Sequence, residues 1–329
     1  MDQSGFSKNS NIINNLNIRD VNLYENFNDI NIGENKSKPN NSAANFNSIS
    51  DNNNDNNCFI KQKLVPFIVE NNVDENEAID TLEVEIVDAS NYRKAAKTLQ
   101  IAFVDDKFAE YLTKPIQSQF LKEQVELAIF EASVYSSILD GLVVAIRDKE
   151  AEKIDPNAPF LACACFTKPD STSGFWSMVR AGYLKVAWLA NKECRRRVFQ
   201  EQYPLLNETK SKVLGKDYDE SWYLSDIGTT PNARGKGCAR KLLEYVYKNF
   251  IDINNHLCYL ESSHPRNKII YEKLGFTYVM TIDVGHINCD CTDGPCDESP
   301  LQMDIMVRGI KGSKWIANSK NLNQQIIKD

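Results

Sequence analysis

The chain has 329 residues, 42% of them hydrophobic and 25% charged, a balance that suits a folded protein carrying a more polar appendage. Its net charge of −7 argues against broad nucleic-acid binding, which needs basic surface to displace counterions. No run nears the roughly 18 apolar residues of a membrane span, and residues 1–13 lack the basic segment and apolar core of a secretory leader; a cytoplasmic protein is expected, the nucleus remaining open.

Asparagine supplies about a third of the first 57 residues, ending in the run from Asp51 to Asn57. Such polar tracts cannot bury enough apolar surface to offset backbone ordering, so residues 1–81 read as a disordered, solvated tail. Order is expected from Leu82, where residues 82–87 alternate apolar and polar like a half-buried strand. Ser90 and Asn91 offer caps to a helix whose apolar face is Tyr92, Ala95, Ala96, Leu99 and Phe103. A second helix is expected over residues 117–136. The compact apolar runs 141–146 and 160–166 then read as a strand hairpin.

From residue 175 to 214 the pattern is helical, with Trp176, Val179, Tyr183, Val186 and Ala190 on one face. Arg195, Arg196 and Arg197 read as a solvated helix face; contact with an acidic substrate or phosphate is the competing reading. Strand, helix, strand, helix and strand follow over 222–227, 239–250, 256–260, 267–274 and 276–284, with Gly275 placed to end its helix as a left-handed cap. A last strand covers 302–307, and residues 312–329 form a polar tail. Nine cysteines is an odd number. Cys163, Cys165, Cys194, Cys238 and Cys258 lie in core-like segments and read as small buried hydrophobes of a reducing compartment.

The informative segment runs from Leu224 to Leu243. A strand enters a tight loop with Gly235 and Gly237, and that loop opens a helix. This arrangement aims unpaired backbone N–H groups at one spot, backed by a helix dipole worth about half a charge. Glycine lets a large anion approach the backbone, and Arg234 and Lys236 add positive charge. The loop therefore suits a diphosphate. It is not a Walker A loop, because six residues rather than four separate Gly228 from Gly235. Nor is it a dinucleotide fingerprint, because Arg240 stands where the third glycine belongs.

Arg234-Gly-Lys-Gly-Cys-Ala239 resembles the pyrophosphate-binding R/Q-x-x-G-x-G/A motif of the GCN5-related N-acetyltransferase (GNAT) superfamily. Downstream, the stretch from Tyr259 to Phe276 is similar to the puromycin N-acetyltransferase type, with Leu260-Glu261-Ser262-Ser263, then Asn267, then Tyr271-Glu-Lys-Leu-Gly275-Phe276. The likeness covers residues 82–311, strongest over 221–284, and residues 175–214 exceed the family's minimal core. It implies a mixed α/β (α+β) fold, a mostly antiparallel twisted sheet flanked by helices, and transfer of an acetyl group from acetyl-CoA to an amine. By this resemblance, Ile227, Gly228 and Thr229 lie on a strand that splays from its neighbour to admit the pantetheine arm. Arg234, Gly235, Lys236, Gly237, Cys238 and Ala239 would hold the pyrophosphate, and Asn267 would bond the pantetheine arm.

The same resemblance makes Tyr271 the general acid that protonates the departing thiolate. A tyrosine hydroxyl (pKa near 10) can donate to a thiolate (about 8.5) once it forms. The competing reading is a tyrosine packed beside Ile270 and Leu274. Asp226 and Glu261, on the strands bordering the gap, are both candidates for the base, and both could equally be structural. His286, Cys289, Cys291 and Cys296 read as an exposed loop within residues 285–300, with zinc as the rival reading. A small-molecule amine is favoured over a protein amine as acceptor. The alternative from another class is a non-catalytic acyl-CoA-binding sensor or scaffold.

Overall fold

β1 (Val84–Ile86), β2 (Gly141–Ile146), β3 (Ala162–Thr167), β4 (Ser221–Thr229), β5 (Leu257–Ser262), β6 (Thr277–Val284) and β7 (Leu301–Arg308) form one sheet in the order β1-β2-β3-β4-β5-β7-β6. The structure, a computed structural model, describes residues 82–171, 175–285 and 301–316. The Asn-rich segment, the cysteines at 289, 291 and 296, and residues 317–329 lie outside them. All neighbouring strands are antiparallel except β4 and β5. No described helix is long and apolar enough to cross a membrane.

The helices are α1 (Tyr92–Ala102), α2 (Lys107–Thr113), α3 (Gln119–Asp140), α4 (Lys149–Ile154), α5 (Phe175–Ala181), α6 (Tyr183–Leu189), α7 (Lys192–Arg195), α8 (Tyr203–Leu214), α9 (Cys238–Val246) and α10 (Asn267–Lys273). They cover both faces of the sheet, which is why β2 is apolar almost without alternation. Val144 and Ile146 pack with Leu242, Leu243 and Val246 of α9. On the opposite face, Val143 and Ala145 pack with Leu99 of α1 and Phe130 and Val134 of α3.

Two short helices escape the sequence reading. α2 begins at Asp106, whose carboxylate accepts from the N–H groups of Phe108 and Ala109, both at 2.9 Å. α4 is capped in the same way by Asp148. Each is too short to show an apolar period, so only its cap marks it. Gly182, at φ +97°, interrupts the helical pattern expected over 175–214 and separates α5 from α6. α7 continues through a π-helical stretch, Arg196–Gln202, into α8, where Pro204 is tolerated near the helix start.

The three arginines are not a solvated face. Arg195 caps α6 by donating to the carbonyls of Ala187 (3.2 Å) and Ala190 (2.7 Å). Arg196 bridges Glu193 and the buried Glu201, and Arg197 donates to the Tyr111 carbonyl at 2.7 Å while stacking on its ring. Arg197 thereby ties this helical segment to α2, beside a separate apolar cluster that includes Leu112, Val125, Val186 and Phe199.

Candidate active site

β4 and β5 pair only from Ser221↔Leu257 to Leu224↔Leu260. At that point β4 bulges: Leu224 faces Phe166 and Asp226 faces Cys165, leaving Ser225 unopposed. A bulge adds a residue to one strand and bends it. Beyond Leu224, β4 follows β3, while Glu261 and Ser262 follow β7. The two strands separate, and a cleft of about 2200 Å³ opens between them.

The loop after β4 sits at this cleft. Gly235 (φ +78°) and Gly237 (φ +75°) both adopt the left-handed region that disfavours side chains. A Cβ on Gly235 would meet nothing within 4 Å, so that side of the loop is open. No side chain caps α9, which leaves its first N–H groups to an outside acceptor. Arg234 lines the cleft and donates to the Ala102 carbonyl at 3.0 Å, tying the loop to the end of α1. Lys236 is exposed and does not line the cleft. Gly228 has a packing reason of its own: a Cβ there would stand 2.7 Å from that of Ala102.

The two carboxyls differ. Ser133 on α3 donates to Asp226 at 2.5 Å; burial raises the Asp226 pKa, and Ser133 and Ser225 oppose the rise. Glu261 stands one residue past the last β4–β5 pair, and burial pushes its carboxyl up to about 7, against the hydroxyls of Tyr223 and Tyr259 and the charge of Lys210. Its Oε1 and the Tyr259 hydroxyl are buried with no well-aligned hydrogen bond, although the Tyr223 and Tyr259 hydroxyls stand close enough to favour the charged form of Glu261. Tyr271 is buried on α10 edge-on to Phe276, with ring centroids 5.6 Å apart, and burial raises its pKa. Asn267, one turn earlier, shares the cleft wall with it. Gly275 ends α10 at φ +90°, with Phe276 N–H returning to the Tyr271 carbonyl at 3.0 Å.

Residues 207–278 match the family model for the acetyltransferase (GNAT) domain. An uncharacterized N-acetyltransferase of Schizosaccharomyces pombe is 35% identical over 224 residues, 68% of this chain and 81% of that one. The chain belongs to the GNAT acetyltransferases. An uncharacterized protein of Saccharomyces cerevisiae is 28% identical over 239 residues, covering 72% of this chain and 89% of its own. Among solved structures, arylalkylamine N-acetyltransferase 2 from Aedes aegypti aligns with a TM-score of 0.45 and 16% identity, over 70% of this chain and 99% of that one.

This GNAT protein is thus an acyltransferase, and its family uses acetyl-CoA as co-substrate. The open glycine loop and the uncapped start of α9 fit a diphosphate. Of the residues nominated from sequence, all except Lys236 line one cleft: Asp226, Ile227, Gly228, Thr229, Arg234, Gly235, Gly237, Cys238, Ala239, Glu261, Asn267 and Tyr271. Sequence reasoning missed Ser133, Tyr183, Tyr203, Lys210 and Tyr223, which line it too. A single serine, tyrosine or lysine on a helix or strand carries no spacing signal, so nothing in the letters marks them. Among the described residues no cluster of His, Cys, Asp and Glu could hold a metal ion.

Proposed function

We propose that the protein transfers the acetyl group of acetyl-CoA to the primary amine of a small molecule by direct attack. The observation that carries this reading is the parting of β4 and β5 after Leu224 and Leu260, with the glycine loop and Tyr271 on the same cleft. Residues 234–239 hold the diphosphate, and the edge of β4 at Ile227 and Thr229, paired to no strand on the β5 side, bonds the pantetheine arm; Asn267 adds a side-chain contact. The amine nitrogen attacks the thioester carbon, the C–S bond breaks, and an amide and free coenzyme A result. A free backbone N–H on the splayed edge of β4 stabilises the developing oxyanion.

Glu261 takes the proton that the amine loses, since its carboxyl is poised near 7 while Asp226 is engaged by Ser133. Asp226 is the second candidate. Tyr271 gives a proton to the departing thiolate; burial raises its pKa, which keeps the hydroxyl protonated but makes it a weaker acid, so the transfer depends on the thiolate being desolvated in the same cleft. The similarity of residues 259–276 to the puromycin type supports a small-molecule acceptor. Tyr271→Phe is expected to lower turnover by about tenfold or more while acetyl-CoA binding, read by calorimetry, persists. Unchanged turnover would remove Tyr271 from this role, and no acetyl-CoA binding by the intact protein would remove the transferase reading altogether.

A further inference from the structure

Lys210, on α8, lines the cleft and brings to it a positive charge that would repel a plain protonated amine. Its ammonium lies 4.4 Å from the centroid of the Tyr218 ring and 5.4 Å from that of Tyr223. Among the described residues, no carboxylate stands within ion-pair distance of it, and no carbonyl or hydroxyl takes a hydrogen bond from it. An ammonium carries three donors, and ring faces satisfy none of them as an oxygen would. Burial lowers the Lys210 pKa, opposed by the charges of Glu261 and Asp219.

The surroundings locate this cation relative to the chemistry. Tyr223 touches both Lys210 and Tyr259, the two tyrosine rings being 5.9 Å apart, and Glu261 follows Tyr259 by two residues on β5. Glu261 Oε1 and the Tyr259 hydroxyl are buried in the same place without a well-aligned hydrogen bond. The walls beside them are aromatic: Tyr183 is packed edge-on to Phe199 at 6.2 Å, and Tyr203 lines the cleft with them. A cation held only by ring faces, beside a buried carboxyl and a buried hydroxyl, is complementary to a ligand bearing an anion and an amine close together.

We propose that Lys210 selects an acceptor with a carboxylate beside its amine, so that the substrate class is an amino acid with an apolar or aromatic side chain rather than a simple amine or a polyamine. This inference rests on the transferase reading above. The acceptor's carboxylate pairs with Lys210, its amine faces Glu261, and its side chain lies against the tyrosines. Lys210 is a specificity residue: it touches the acceptor and moves no proton.

The test uses matched probes that differ only in the carboxylate: L-phenylalanine against phenethylamine, and L-methionine against 3-(methylthio)propylamine, each with saturating acetyl-CoA. The full-length protein is expected to favour the amino acid by about tenfold or more in kcat/KM in at least one pair, the worth of one charge-assisted hydrogen bond. Lys210→Met should collapse that ratio to about twofold or less through KM for the amino acid, and Lys210→Arg should restore part of it. Equal or better use of the carboxyl-free amines by the wild type overturns the inference, whether or not the variants fold. So does a ratio unmoved by Lys210→Met, the outcome expected if Lys210 served only to tune Glu261. Should no probe be acetylated although acetyl-CoA binds by calorimetry, the amino-acid class falls and the catalytic reading is in question with it. Acetylation of polyamines alone would sink the inference and leave the transferase reading standing.

Discussion

Residues 234–239 and residues 175–214 border the same cleft, yet they are built on opposite terms. The first region works through its backbone: two glycines at φ +78° and +75° turn the chain, and an uncapped helix follows. The second works through side chains contributed by separate helices, held in place by Arg195, Arg196 and Arg197. A backbone that must be left-handed forces particular letters into the sequence. A wall of tyrosines forces none, because tyrosine suits a core, a surface and a binding wall alike. In the reading above, the first region grips the cofactor and the second chooses the acceptor. Three substitutions test that division.

Glu261→Gln has the largest expected effect, because Glu261 stands where the two regions meet. Turnover should fall by about 10²-fold, the usual worth of a positioned base. With burial holding its carboxyl up near 7, the wild-type rate should climb as pH rises through about 7, and that limb should vanish in the variant. Stability should move the other way. A carboxyl raised from 4.5 to about 7 on folding contributes stability that is full below 4.5 and lost as pH rises through about 7. Glutamine should therefore stabilise the fold at pH 8 by ~1–3 kcal/mol and leave it unchanged at pH 4, which thermal melts at the two values would read. A variant that keeps its turnover hands the base to Asp226.

Gly237→Val comes next. Valine at φ +75° costs ~2 kcal/mol of backbone strain, and relief of that strain would turn the loop away from its bound anion. Acetyl-CoA affinity by calorimetry should weaken by roughly 30-fold, the equivalent of that strain, with the amine KM little changed. If the amine KM moves and acetyl-CoA affinity does not, the two regions have been assigned the wrong way round.

The same contrast explains what could be read in the letters. The sheet was legible from Leu82 onward because β2 and β3 are compact apolar runs, buried on both faces by α9 and by α1 and α3. The α9 stripe and the Gly275 cap were equally plain. The parting of β4 and β5 was implied only by resemblance, since a bulge at Ser225 has no residue signature. Gly228 reads as a cofactor glycine until the Ala102 side chain is seen packed on it. Ser133, Lys210 and Tyr223 stayed invisible because each acquires its place from elements far away in the chain. Arg195–Arg197 show the same limit in reverse. A basic run on a helix suggests solvent, whereas acidic partners at 193 and 201 and two carbonyl-lined helix ends draw it inward.

Arg196→Met should have the smallest effect on the chemistry and a clear one on the fold. Arg196 donates to Glu201 at 2.9 Å, and the Glu201 side chain is only 3% exposed. Without Arg196 that carboxylate keeps the Tyr111 hydroxyl, 2.6 Å away, but loses its countercharge. Breaking a buried pair from one side costs ~3–5 kcal/mol; because Arg196 is itself about a third exposed, ~2 kcal/mol is the reasonable figure. That corresponds to a fall in Tm of about 4–8 °C for a domain of this size. The deficit should be full at pH 7 and shrink under acid, because Arg196 also holds Glu193 down at about 2, and that contribution fades as pH falls from 4.5 toward 2. Acetyl-CoA affinity should stay within about twofold, as expected of sites that share no partner. If Arg196→Met weakened acetyl-CoA binding as strongly as Gly237→Val, the helical region and the loop would be one mechanical unit, with Arg234 on the Ala102 carbonyl the natural link between them.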